Sequence, residues 1–172
     1  DLGNKKGLAD GILYLPYWLL DYEALISMFV DRSDQNAPNQ AMIIARTVVQ
    51  TKRRFLEENH QKELLDNFTI DSPVPFSMDA LLEELNRLNV DMVPGAKAGT
   101  EKQGDFHGKL SRMIARLENK RTDRRLGFLF QPSEEASKLS WLSDLSRTLL
   151  AGTSQQSNKI GGIKIIDFSE VP

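Results

Sequence analysis

The sequence predicts a mainly α protein, a helical bundle that carries a few short β-strands. Two observations lead there. Four or five amphipathic stretches repeat apolar residues at helical spacing behind capping residues. Only three short apolar runs read as strands, at about residues 11–16, 125–130 and 163–168, and they lie far apart along the chain. Helices can bury one another's faces, whereas three isolated strands make a poor sheet. The last run, "IKIIDF" from Ile163 to Phe168, has the form of a buried strand that needs neighbours on both sides. The simplest account is a helical insertion accompanied by strands of a larger sheet, read as one domain over residues 1–172. The chain begins with Asp1 and not Met, which predicts an excised or processed piece.

Each element has its own signal. "GILYLP" reads as a short strand ended by Pro16. Asp21 is placed to cap a helix whose apolar face is Leu25, Ile26, Met28 and Phe29. Asn36 can cap the next helix, with Pro38 in a first turn where its missing N–H costs nothing. That helix runs to about Glu58 on Ala41, Ile44, Ala45, Val48, Val49, Phe55 and Leu56, and Lys52 is the only break in the face. Ser77 caps a helix built on Met78, Leu81, Leu82, Leu85 and Leu88. "VDMVPGAKAGTEKQGD" reads as a Gly-rich polar loop, and Phe106, Leu110, Met113, Ile114 and Leu117 predict a helix ending near "KRTD". "RLGFLF" reads as a strand. Ser133 or Ser140 opens a last helix that Gly152 closes.

At 172 residues with 40% apolar and 27% charged content, the chain can bury a substantial core. A net charge of −2 sets up no global field toward nucleic acid or anionic membrane, so a basic partner-binding surface has to be local. The absence of Cys excludes disulfides, thiolate zinc sites and thiol catalysis, and is compatible with a reducing cytosol. No apolar stretch approaches the length of a membrane span.

Most apparent motifs dissolve on inspection. "GAKAGTEK" (Gly95–Lys102) has three residues between its glycines, and Lys102 does not follow the second glycine directly. A phosphate loop needs four residues there and an adjacent Lys, so that amides and ammonium converge on phosphate. His60 and His107 lack ligand spacing and read as surface or cap residues. The informative stretch is "KLSRMIARLENKRTDRRLGFLF", with seven basic residues from Lys109 to Arg125 against Glu118 and Asp123. Arg112, Arg116 and Lys120 fall four apart on one stripe. A solvated face is the default reading, but Arg124 and Arg125 stand where guanidinium groups can reach across an interface. "TKRRF" (Thr51–Phe55) is a second basic cluster.

Four stretches in order resemble the HerA-type ATPases of the HerA/FtsK superfamily, a group of P-loop motors. They are "LPYWLLDYEAL" (Leu15–Leu25), "QNAPNQA" (Gln35–Ala41), "RLENKRTDRRLGFLF" (Arg116–Phe130) and "IKIIDFSEVP" at the end. The resemblance implies a helical insertion and flanking strands of a RecA-like α/β core. It implies an intact ATP-binding protein that uses ATP and Mg, assembles as a hexameric ring and acts as a cytoplasmic, helicase-like translocase on double-stranded DNA. Nucleases or anti-phage defence effectors are the implied partners, with no membrane. The phosphate loop would lie before Asp1 and the catalytic-carboxylate strand after Pro172, so the fragment itself would bind no cofactor and hydrolyse nothing.

Within that resemblance, Arg124 and Arg125 are candidates for arginines delivered to a neighbouring subunit's nucleotide, and Arg116 is a further one. Lys52, Arg53 and Arg54 are candidates for DNA phosphates. The rival reading is a stand-alone helical module that binds nucleic acid or protein through the Lys109–Arg125 surface.

Overall fold

The computed structural model describes residues 13–151. They form seven α-helices, three short 3-10 turns and one two-stranded antiparallel sheet, so the mainly α class holds. The chain divides into two compact units: Trp18–Lys120, and the residues up to Tyr17 taken with those from Arg121 onward.

In the Trp18–Lys120 unit, helix α1 (Tyr22–Phe29) starts because Asp21 accepts a hydrogen bond from the Ala24 amide at 2.8 Å. Helix α2 (Ala37–Glu58) starts differently from the expectation. Asn36 sits at φ −91°, ψ 2°, off the extended geometry a capping side chain needs, and its side chain makes no cap. Its amide instead donates to Asp34 at 2.8 Å. Pro38 does occupy the first turn.

Helix α2 is the hub, packing on α1, on the short α3 (Lys62–Leu65) and on α4 (Met78–Val90). It buries Ile43, Ile44, Val48 and Leu56 together with Gln40, Thr47, Thr51 and Lys52. The buried face is rotated from the one read in the sequence: Ala41, Ala45, Val49 and Phe55 are half-buried flanks. Past the helix end at Glu58, His60 adopts a left-handed φ of 56°, while the Gln61 amide donates back to the Leu56 carbonyl at 2.8 Å. His60 thus has the capping role expected of it.

Ser77 caps α4 through the Ala80 amide at 3.1 Å, and Leu81, Leu82, Leu85 and Leu88 enter the core. The stretch read as a polar loop contains a hairpin, β1 (Met92–Pro94) against β2 (Glu101–Gln103), with Val93 opposite Lys102. Gly99, at φ 77°, provides the left-handed residue that the turn requires. Helix α5 (Ser111–Thr122) buries Met113, Ile114 and Leu117. Asn89 fixes its start by accepting the Leu110 amide at 3.0 Å.

The second unit corrects a strand. "RLGFLF" is helical: a 3-10 turn at Arg124–Leu126 leads into helix α6 (Gly127–Phe130). A short apolar run does not separate strand from buried helix by pattern alone, and here the Asp123 side chain caps the turn by accepting the Arg125 amide at 3.0 Å. Residues 13–16 likewise have no strand, although the Leu15 amide donates to the Phe128 carbonyl at 3.2 Å. Tyr17 stacks on Phe130 with centroids 6.0 Å apart. Ser133 opens a 3-10 turn at Glu135–Ser137 by accepting the Ala136 amide, and helix α7 (Trp141–Ala151) follows Ser140. The strand expected at 163–168 and the closing Gly152 lie outside the described residues.

Candidate functional site: a basic turn and a buried lysine

The two arginines expected to act together have different surroundings. Arg125 folds back on Asp123 in a two-point pair, with Nε to Oδ1 at 3.1 Å and Nη2 to Oδ2 at 2.7 Å. The hydrogen bonds and charge of Asp123 raise the Arg125 pKa and hold the guanidinium in place. Arg124 is exposed and has no ion pair or hydrogen-bond partner for its side chain among the described residues. Because the pair sits on a 3-10 turn, successive side chains diverge by about 120° and do not alternate as on a strand. Local chain geometry therefore commits Arg125 to Asp123 and leaves Arg124 without a side-chain partner among the described residues.

Arg112 and Arg116 are exposed on α5 and lie close enough to Asp31 to lower its pKa. The larger causes at Asp31 are the Ser33 hydroxyl, at 2.7 Å, and the Ser33 amide, at 3.0 Å. Asp34 is lowered mainly by the Asn36 amide, with help from the Gln40 side chain and Arg112. These groups border an open polar cleft of about 490 Å³ lined by Asp34, Asn36, Lys109, Ser111 and Arg112. Gln40, buried below it, bridges Asp34 at 3.3 Å and the Lys109 carbonyl at 3.0 Å. The Arg116 charge is thus partly answered from within the unit.

The basic cluster on α2 separates in the same way. Lys52 is 0% exposed, and its ammonium donates to the Ile70 and Ser72 carbonyls, both at 2.6 Å. It also lies 5.8 Å from the centre of the Phe76 ring. An ammonium held this way is not presented to solvent, so Lys52 does not reach a nucleic-acid phosphate. Arg53 is exposed and covers the Phe68 ring at 5.3 Å, and Arg54 is exposed beside it. Burial pulls the Lys52 pKa down from 10.5 to about 8, and the Asp71 carboxylate opposes the fall.

Sequence reasoning missed the partners of Lys52. The signal present was its position as the single charged break in an apolar helix face; nothing local pointed to carbonyls 18 and 20 residues away.

The Gly-rich stretch does not have the geometry of a phosphate loop. "GAKAGTEK" is the hairpin turn between β1 and β2, where the Gly95 amide donates to the Thr100 carbonyl at 2.7 Å and no helix follows to point amides at phosphate. Among the described residues no three His, Cys, Asp or Glu side chains gather to hold a metal. No described helix is long and apolar enough to cross a membrane.

These features define a helix-rich chain that displays arginines on its surface. The family described as "Helicase HerA, central domain" matches residues 4–172, and the chain belongs to that family. No individual curated protein matches it. The chain therefore originates from a HerA-type ATPase.

Proposed function

We propose that the chain is the helical insertion of a hexameric, DNA-translocating HerA-type ATPase, where it shapes contacts between subunits and with a nuclease or defence effector. In this reading ATP and Mg are bound by other parts of the intact protein, which works in the cytoplasm. Arg124 is the arginine presented toward a neighbouring subunit's nucleotide. The observation that carries this is the asymmetry of the basic turn: Arg125 is clamped on Asp123, and Arg124 is exposed without a partner among the described residues. Arg125 then acts on the turn itself, and Arg116 has a lesser part because Asp31 lies near it. Arg53 and Arg54 remain the candidates for DNA phosphates.

The test uses the intact ATPase, measuring hydrolysis, ring size and melting together. Arg124→Ala is expected to lower turnover by roughly a thousand-fold, the scale of an arginine supplied across an interface, with ring size and melting near the unmodified protein. Arg125→Ala is expected to retain most turnover. Full activity in Arg124→Ala removes the assignment. Unfolding of Arg124→Ala makes the residue structural. If the helical chain alone binds DNA with a steep salt dependence, the stand-alone module reading gains instead.

A further inference from the structure

Lys52 is the only charged residue in the buried core of the described residues. Its two acceptors belong to a single turn. The Ile70 and Ser72 carbonyls flank Asp71, and the same turn is closed by the Ser72 amide donating to the Thr69 carbonyl at 3.2 Å and the Thr69 amide donating to the Ser72 hydroxyl at 2.9 Å. The Val74 amide adds a bond to the Ser72 carbonyl at 2.7 Å. The ammonium therefore grips the backbone on both sides of Asp71. From that held position the exposed Asp71 carboxylate accepts the Tyr22 amide, the first of α1, at 2.7 Å.

A helix start leaves amides without intrahelical partners. In α1 the local cap, Asp21, serves the Ala24 amide and a distant carboxylate serves Tyr22. Asp71 is 49 residues from Tyr22 along the chain and has no reason to be there unless its turn is fixed. The turn belongs to a stretch punctuated by Pro73 and Pro75 and by no regular element between α3 and α4. The Lys52 side chain supplies the fixing group from the centre of α2.

We propose that Lys52, the 69–74 turn and Asp71 form a conformational latch: the buried ammonium holds the turn so that Asp71 can clamp the start of α1. Opening the latch frees the start of α1, just past the point where the chain passes from one compact unit into the other, while α2 and α4 stay folded. The latch has a direction. Lys52 controls both the turn and α1; Asp71 controls α1 alone. Burial lowers the affinity of Lys52 for its proton, and the charge of the Asp71 carboxylate, part of the same latch, opposes that fall.

Amide hydrogen exchange on the full chain tests this with two variants. In Lys52→Met, exchange at Tyr22, Thr69, Ser72 and Val74 is expected to speed up at least tenfold relative to amides of buried α4 residues such as Leu85. In Asp71→Ala, only Tyr22 is expected to speed up, and the turn amides keep their protection because Lys52 still grips Ile70 and Ser72. If Lys52→Met leaves Tyr22 as protected as before, the latch is refuted. If Lys52→Met unfolds the whole unit, Asp71→Ala decides: loss of protection throughout the turn refutes the direction, and loss at Tyr22 alone supports it.

Discussion

Lys52 places a charged side chain in the buried core of the described residues. Its position in the apolar face of α2 is plain in the sequence, and grouping it with Arg53 and Arg54 as a basic cluster is the natural reading. Folding separates the three: successive residues on a helix point about 100° apart, so neighbours in sequence face core and solvent. The buried charge carries a pH signature. Desolvation gives the folded chain a pKa of about 8 where the unfolded chain has the ordinary 10.5. Between those values the unfolded chain binds more protons, so stability rises with pH across that window. The shift sets an upper scale of roughly 3 kcal/mol, with the Asp71 carboxylate opposing the effect of burial. Denaturant unfolding from pH 7 to pH 10 is expected to show unmodified chain gaining stability relative to Lys52→Met. A difference between the two that stays flat with pH would contradict the burial argument.

At the scale of elements, caps decide where the helices begin and end. Asp21 and Ser77 cap as their types and positions predict, because each adopts the extended backbone that lets a side-chain oxygen reach an amide three residues on. Asn36 has the right side chain and the wrong backbone. The end of α2 uses His60 in a left-handed conformation, which costs a residue with a Cβ about 1–2 kcal/mol relative to one without. His60→Gly is therefore expected to stabilise the chain by roughly 0.5–1 kcal/mol, the greater freedom of glycine in the unfolded chain offsetting part of the relief. Thermal unfolding of the two proteins side by side checks it, and a lower midpoint for the glycine variant would show that the imidazole itself stabilises the cap.

For the molecule as a whole, membership of the HerA family and the absence of a phosphate cradle among the described residues have to be reconciled. The glycines that superficially suggest such a cradle serve a hairpin turn whose amide and hydroxyl groups are bonded internally, Gly95 to Thr100 at 2.7 Å and the Thr100 hydroxyl to the Lys97 carbonyl at 2.7 Å. The 172-residue chain by itself is accordingly expected to show no magnesium-dependent ATP turnover above a heat-killed control. Turnover by the purified chain would overturn the insertion reading directly, because it would place a complete site within these residues.

The sequence by itself determined the helical class, the caps at Asp21 and Ser77, the apolar faces of α1 and α4, the Met113, Ile114 and Leu117 part of the α5 face, and the family, since each rests on local spacing or on the order of short motifs; Phe106 and Leu110, read into that helix, lie before its start at Ser111. Tertiary structure alone decided the rest. Arg125–Phe130 became a capped turn and short helix because an apolar run of that length fits either state until its neighbours choose. Arg124 and Arg125 parted because Asp123 has one bidentate face to offer and Arg125 takes it. Lys52 found its partners 18 and 20 residues away, and Asp71 reached Tyr22 across 49. Contacts between residues so far apart leave no periodic trace, because they are fixed by how helices pack and not by the repeat of any one helix.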